Sequence, residues 1–149
     1  MSIKTSWTCY LVKYVTLWLW GGCSYYLVEI LWRGFSHESM YILGGICLLM
    51  LNAMNRLFPW RMGFLWQVLI GTAGVLVLEL ITGLIVNKWL GLNVWDYSDL
   101  RFNILGQVSL LFYFLFMPVV AYGIWLSDFL NWKLYDEEKP RYTLIKRGN

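Results

Sequence analysis

The sequence predicts an all-α membrane protein, a bundle of four transmembrane helices with both termini on the cytoplasmic side. Three observations favour this class. The 149-residue chain is 59% hydrophobic and only 14% charged, its mean hydropathy is +0.55, and it contains ten Trp, ten Tyr and eight Phe. Soluble domains average about 25% charged residues, whereas membrane proteins concentrate Trp and Tyr at both interfaces. We therefore expect residues 1–149 to form a single membrane domain.

Four apolar stretches predict the transmembrane spans. A helix needs about 20 mostly apolar residues to cross the hydrocarbon, and the stretches 12–31, 40–57, 62–86 and 104–126 come close to or exceed that length. Pro59 is expected to end the second span, and Pro118 to kink the fourth. Residues 127–149 are predicted to be a cytoplasmic tail, whose first part, SDFLNWKLY, could lie along the interface as an amphipathic turn or two.

The distribution of basic residues predicts the orientation, because cytoplasmic loops of membrane proteins carry an excess of Lys and Arg. One side of the predicted bundle carries nine such residues: Lys4, Lys13, Arg56, Arg61, Lys133, Lys139, Arg141, Lys146 and Arg147. The opposite side carries only Arg33, Lys88 and Arg101. We therefore expect the termini to be cytoplasmic and the loops near residues 32–39 and 87–103 to face outward.

Several function classes receive no support from the sequence. The net charge is only +3 and no basic stripe is present, so nucleic acid is not an expected partner. Cys9, Cys23 and Cys47 form no CxxC pair and have no histidine at ligand spacing, so we expect neither a metal site nor a cofactor. The chain contains no GxxxxGK[ST] phosphate loop and therefore is not the ATP-hydrolysing part of a transporter.

Two acidic residues near the outward ends of the predicted spans are the first candidates for a functional site. Ionisable side chains in the hydrocarbon are costly and usually mark a functional pathway. Glu29 has Arg33 four residues on, so a structural salt bridge and a functional role are both open. Glu79 has no basic residue within a turn, and it needs a partner from elsewhere, a bound cation or a proton. A neutral carboxyl group bonded to Thr82 or Gln107 is the alternative.

The segment GLNVWDYSDLRFNILGQ, residues 91–107, is the longer outward connection. Asp96 and Ser98 favour an Asx-type turn, and Trp89 and Trp95 are expected to anchor the loop at the headgroup level. The amides of Asn103 and Gln107 are expected to project inward. His37, in the other outward loop, is more typical of a solvent-facing side chain than of a ligand or base.

The sequence therefore predicts one outward-opening polar pocket. Its expected binding residues are Glu29, Arg33, His37, Glu79, Asn87, Asp96, Tyr97, Ser98, Asn103 and Gln107. The alternative is that these residues are polar because outer loops are polar, which explains Asp99 and Arg101 better than Glu79. No catalytic residue is predicted.

Three segments resemble a known family: EILWRGFSHESMYILGGICLLMLN, LELITGLIVNKWLGLNVWDYSDLRFNILGQVSLLF and EEKPRY. They are similar to the small membrane proteins of Firmicutes and their phages labelled "putative ABC-transporter type IV". The resemblance covers about residues 12–142, and its most specific pattern is ExxTGxxxNxxLxxxVWDYS at 79–98. It implies a multi-pass protein of a bacterial plasma membrane with a transport-related role.

Three functions are compatible with this sequence. The first is a small transporter or transporter subunit whose outward pocket binds a polar or cationic solute, contacting membrane lipids and requiring a separate ATPase, a partner membrane protein or a second copy of itself. The second is a non-catalytic membrane module that stabilises or regulates a partner. The third, which we favour least because no catalytic constellation is present, is a membrane-embedded enzyme acting on lipid or envelope precursors.

Overall fold

The computed structural model describes residues 7–58 and 62–145 and consists mainly of helices. The four α-helices are α1 (Trp7–Arg33), α2 (Glu38–Leu57), α3 (Phe64–Gly83) and α4 (Leu110–Tyr135). α3 continues without interruption into a π-helical turn, Leu84–Trp89, and an antiparallel ribbon of two short strands, β1 (Asn103–Ile104) and β2 (Val108–Ser109), precedes α4. The predicted helical class is confirmed.

Two continuous helices in the described part of the chain, Phe64–Trp89 and Leu110–Tyr135, are long and apolar enough to cross a membrane, as judged by length and composition. They correspond to the third and fourth predicted spans. α1 and α2 cover the first two, 12–31 and 40–57, and their crossing of the membrane stays a prediction. All four helices also expose large apolar side chains, for example Trp20, Ile42, Val77 and Phe114. A lipid environment would cover such a surface.

The ends of α4 differ from the predicted fourth span, 104–126. The helix begins at Leu110 because Phe102, Leu105 and Gly106 all have positive φ angles, which turn the chain back on itself before the helix. The expected interfacial turn after residue 126 is instead a continuation of α4, since Leu126 and Leu130 are buried against α1 and α2. The helix runs through Pro118 to Tyr135.

The tightest helix contact joins α1 and α2 through two glycines. A Cβ atom on Gly21 would lie 2.6 Å from the backbone oxygen of Gly44, and 2.6 Å from Cβ of Leu48. Only glycine therefore permits this backbone approach. Around it, the core contains the buried side chains Tyr25, Met40, Leu43, Cys47, Leu51, Val75, Val120 and Ile124.

Contacts between distant parts of the chain define the two ends of the packed helices. Near the described termini, the ammonium group of Lys13 forms an ion pair with Glu137, and the Tyr135 hydroxyl lies 3.0 Å from Oγ1 of Thr16. We call this the terminal end. The connection between α1 and α2 and the segment between the π-helical turn and α4 form the opposite end, which we call the loop end.

Which end faces the cytoplasm stays a prediction. Four of the basic residues counted for the orientation, Lys4, Arg61, Lys146 and Arg147, lie outside the described residues, as does Pro59.

Thiol labelling tests this orientation. In a variant with Cys9, Cys23 and Cys47 replaced by serine or alanine, we expect Asp99→Cys to react with a membrane-impermeant thiol reagent on intact cells. Arg141→Cys should react only after permeabilisation, because Arg141 lies at the terminal end, which is predicted to face the cytoplasm. Both positions are exposed, so burial does not limit either reaction. Labelling of Arg141→Cys, but not of Asp99→Cys, in intact cells would reverse the orientation.

Candidate functional site

A cavity of about 300 Å³ lies at the loop end between α1 and α4. We call it the α1–α4 cavity. Three of the ten residues predicted for the pocket line it: Glu29, Arg33 and Tyr97. Its other walls are mainly apolar and aromatic: Tyr25, Val28, Leu31, Trp32, Phe112, Leu115, Phe116 and Val119. The structure thus brings only part of the predicted polar set together around an otherwise apolar space.

Glu29 and Arg33 form the polar edge of the cavity. Nη2 of Arg33 donates to Oε1 of Glu29 at 2.8 Å, so the salt bridge expected from their i,i+4 spacing is confirmed. The hydroxyl of Ser36 donates to Oε2 of Glu29 at 2.8 Å, a contact that the sequence did not predict. Nη1 of Arg33 donates to the backbone oxygen of Val94 at 3.3 Å. The pair therefore connects α1 to the long loop.

Tyr97, from the long loop, forms another part of the cavity wall. Its ring stacks on Phe112, with centroids 4.1 Å apart and planes inclined by 18°, and its backbone N–H donates to the Gly106 oxygen at 2.7 Å. Burial raises the pKa of the Tyr97 phenol well above its ordinary value; Glu79 raises it further and Arg33 lowers it. The carboxyl group of Glu79 is therefore close enough to influence the cavity wall.

Glu79 is the most deeply buried acidic side chain of the predicted set. Glu79 is only 1% exposed, and neither of its carboxylate oxygens has a hydrogen-bond partner among the described residues. The alternative of a bond to Thr82 or Gln107 is wrong, because Thr82 donates to the backbone oxygen of Leu78 and the Gln107 amide is engaged elsewhere. A buried carboxylate without a partner is unfavourable, so this position requires an explanation.

Asn87 and Gln107 bond to each other at the loop end. Nδ2 of Asn87 donates to Oε1 of Gln107 at 2.8 Å, and Oδ1 of Asn87 accepts from the Val94 backbone N–H at 2.7 Å. Nε1 of Trp95 donates to the backbone oxygen of Gln107 at 3.0 Å. We call these three residues, Asn87, Trp95 and Gln107, the loop latch. Their side chains hold the loop on the π-helical turn and do not line the α1–α4 cavity.

The loop latch depends on a close approach to α3. A Cβ atom on Gly83 would collide with Oε1 of Gln107 and lie 3.0 Å from Cζ2 of Trp95. Trp95 is consequently 5% exposed, so its expected role as a headgroup anchor is wrong, whereas Trp89 is 80% exposed. The indole ring is buried because its N–H finds a backbone acceptor within the protein.

Asp96, Ser98 and Asn103 build the loop itself. Oδ1 of Asp96 accepts hydrogen bonds from the backbone N–H of Ser98 at 2.9 Å and from its hydroxyl at 2.5 Å, which confirms the expected Asx-type turn. These bonds hold the pKa of Asp96 below its ordinary value. Nδ2 of Asn103 donates to the Leu100 oxygen at 2.7 Å, and its Oδ1 accepts from Gly106 N–H at 3.0 Å. The Asn103 amide therefore orders the turn.

His37 is placed at the start of α2. Its Nδ1 accepts from the backbone N–H of Ser39 at 3.2 Å and lies 2.8 Å from the Ser39 hydroxyl oxygen. This side chain is the N-cap of the helix, and it does not line the α1–α4 cavity.

Sequence reasoning missed a second polar group, at the terminal end. Lys13, Asn52, Asp128 and Asn131 are all at most 5% exposed. The sequence signal for this group was the position of these polar residues in or next to apolar stretches. Polar side chains that are buried there need partners inside the protein. Their pairing could not be derived from spacing.

The described residues thus form a small, mainly helical protein in which a folded loop packs against one end of the helices, next to a buried carboxyl group. A family model described as "Putative ABC-transporter type IV" matches residues 9–143. The chain belongs to this family. The family description suggests a transporter-related role, and together with the two apolar helices it suggests a membrane location. Searches of curated proteins and of solved structures found no match.

Changes to the loop latch should lower stability. Gln107→Ala leaves the buried Nδ2 of Asn87 without its acceptor, and we expect the free energy of unfolding to fall by about 1–3 kcal/mol. Asn87→Ala should have a similar effect, and the double variant should lose less than the sum of the two, since both remove one interaction.

Denaturant unfolding of the purified protein in detergent measures these differences. Arg101→Ala, at an exposed position of the same loop, is the control and should change stability little. Equal stability of Gln107→Ala and Arg101→Ala would show that the latch contributes nothing.

Proposed function

We propose that this protein is a small transporter or transporter subunit whose α1–α4 cavity binds an amphipathic solute. One observation carries the proposal: an ion pair and a tyrosine lie at the edge of an otherwise apolar cavity of about 300 Å³. Ligand sites are commonly apolar spaces of about 300–1,000 Å³ with a few well-placed polar groups. The family description supports a role in transport.

The chemistry of the lining favours a solute with both a polar and an apolar part. Glu29 and Arg33 balance each other in charge, so the polar edge is suited to a zwitterionic or dipolar group more than to a strongly charged ion. The side chains of Val28, Leu115 and Val119 offer contacts for a hydrocarbon part. The cavity thus supports an amphipathic solute better than the purely polar or cationic one expected from the sequence.

Glu79 is the proposed coupling residue. An ionised carboxylate buried without a partner is strongly unfavourable, so such a group takes up a proton or pairs with a cation. Glu29 and Arg33 are close enough to act on Glu79 electrostatically, and Glu79 acts in the same way on Tyr97. We propose that proton or cation occupancy at Glu79 is linked to solute occupancy of the cavity through these groups.

The proposed setting is a bacterial plasma membrane crossed by all four helices, with the loop end outward. The sequence contains no phosphate loop, so ATP-driven transport would require a separate ATPase. Four helices are few for a complete translocation path, and we propose that a second copy or a partner membrane protein supplies the remainder. No catalytic step is part of this proposal.

A second candidate is a non-catalytic membrane module that stabilises or regulates a partner. The observation favouring it is that the polar side chains of Asn87, Gln107, Asp96, Ser98 and Asn103 all bond within the loop end. The contribution of these hydrogen bonds to folding is enough to explain why the residues are polar. Under this hypothesis the α1–α4 cavity binds no solute.

Ligand-dependent thermal stability distinguishes the two functions. We expect short-chain zwitterionic amphiphiles, used below their micelle concentration, to raise the melting temperature of the purified protein. Binding to the folded state stabilises by about 2.7 kcal/mol at a ligand concentration of 100 Kd. Val119→Trp should abolish the effect because the larger side chain fills the cavity, and Arg33→Gln should weaken it.

Val77→Trp is the matched control, because Val77 is 56% exposed on α3 and does not line the cavity. This variant should retain the response to the ligand. If wild type and Val119→Trp respond equally to every amphiphile, or if neither responds, the solute-binding proposal is wrong and the non-catalytic module is favoured.

A further inference from the structure

A second cavity, of about 400 Å³, lies at the terminal end, and it is distinctly acidic. Four carboxyl groups line it, those of Asp128, Asp136, Glu137 and Glu138. Two amide side chains, of Asn52 and Asn131, and the guanidinium group of Arg56 complete the lining. We call this space the acidic cavity. None of its lining residues lines the α1–α4 cavity, and nothing in the proposed transport role depends on it.

The buried floor of the acidic cavity presents an unused acceptor. Nδ2 of Asn131 donates to Oδ1 of Asn52 at 2.7 Å, and both residues are at most 5% exposed. Oδ1 of Asn131 has no hydrogen-bond partner among the described residues. A buried acceptor without a donor costs about 1–3 kcal/mol. The amide therefore points to a ligand that supplies an N–H or O–H donor.

The charges around the acidic cavity are only partly balanced. Glu137 pairs with Lys13, and Nη2 of Arg56 lies 3.8 Å from Oε1 of Glu137. Oδ2 of Asp128 accepts from the Tyr142 hydroxyl at 2.5 Å. Burial, together with that bond, raises the pKa of Tyr142 above its ordinary value. Two basic side chains thus converge on Glu137, whereas the carboxyl groups of Asp136 and Glu138, which also line the cavity, have no ion pair among the described residues.

The position of the acidic residues increases the negative potential. α4 ends at Tyr135, and Asp136 follows it with φ 52° as the left-handed cap, its N–H donating to the Asn131 backbone oxygen. The C-terminus of a helix carries a partial negative charge and favours cations. Three successive acidic residues at this helix end, Asp136, Glu137 and Glu138, destabilise the helix. Their presence there favours a role in binding positive charge.

We propose that the acidic cavity binds an organic cation through its ammonium or guanidinium group. Such a group carries several N–H donors and a positive charge, which match the Asn131 oxygen and the surrounding carboxylates. Among the described residues, no group of three or more His, Cys, Asp or Glu side chains is arranged to hold a metal ion. An organic cation therefore fits the lining better than a metal. The group belongs either to a small free amine or to a Lys or Arg side chain of another protein.

Titration of the full-length purified protein with named probes tests this proposal. We expect agmatine, which carries both an ammonium and a guanidinium group, to raise the melting temperature with saturation, beyond the effect of NaCl at equal ionic strength. Glu138→Gln should weaken agmatine binding by up to about fivefold, because Glu138 is exposed and an exposed ion pair contributes about 0.2–1 kcal/mol. Asp99→Asn, a change of an exposed acid at the loop end, should leave the affinity unchanged.

A second variant separates binding from folding. Asn52→Leu/Asn131→Leu replaces both amide partners by apolar side chains of similar size, which is often nearly neutral for stability. It should fold and lose agmatine binding. Retained affinity in this variant and in Glu138→Gln, or saturation by Mg²⁺ but not by agmatine, would overturn the proposal.

The same titration identifies the source of the cation. Saturation by agmatine supports a small free amine. Saturation only by a capped tetra-arginine peptide supports a basic side chain from a partner protein. Stabilisation by neither probe would contradict the proposal.

Discussion

The hydrogen bond between the amides of Asn87 and Gln107 is the interaction on which the loop end depends. Between packed apolar helices, a buried amide is tolerated only when its donors and acceptors find partners inside the protein. These two side chains satisfy each other, and their remaining groups hold Val94 and the turn at Leu105. The loop therefore folds onto the π-helical turn. That position brings Tyr97 against Phe112 and so completes the wall of the α1–α4 cavity.

This arrangement separates two kinds of polar residue that the sequence presents together. Asn87, Asp96, Ser98, Asn103 and Gln107 have internal partners that account for their presence. Glu79 and the Glu29–Arg33 pair differ from them, because Glu79 has no partner among the described residues and the pair faces a cavity. The functional proposal rests on these three residues and Tyr97. His37, as a helix cap, belongs with the structural group.

Local patterns predicted much of this fold. Unbroken apolar runs predicted the four helices, because burial and lipid exposure both select apolar side chains. The i,i+4 spacing predicted the Glu29–Arg33 ion pair, and the Asp96–Ser98 sequence predicted its turn. Each of these features depends on residues that lie close together in the sequence.

Features that depend on distant contacts could not be predicted. Residues 104–109 are apolar enough to resemble the start of a span, but the positive φ angles at Leu105 and Gly106 fold them into a turn and a short ribbon. Burial of Trp95 requires the absence of a side chain at Gly83. The Asn52–Asn131 bond joins α2 to α4, and no spacing rule relates those two positions.

Hydrogen–deuterium exchange of the purified protein tests most directly the central claim that the loop is folded onto the helices. The backbone N–H groups of Val94, Tyr97, Gly106 and Gln107 all donate hydrogen bonds within the loop end. We predict that these four amides exchange slowly, with protection approaching that of α4, because their exchange requires local unfolding. Exchange of the same amides at the rate of an unstructured chain, while α4 remains protected, would contradict the account.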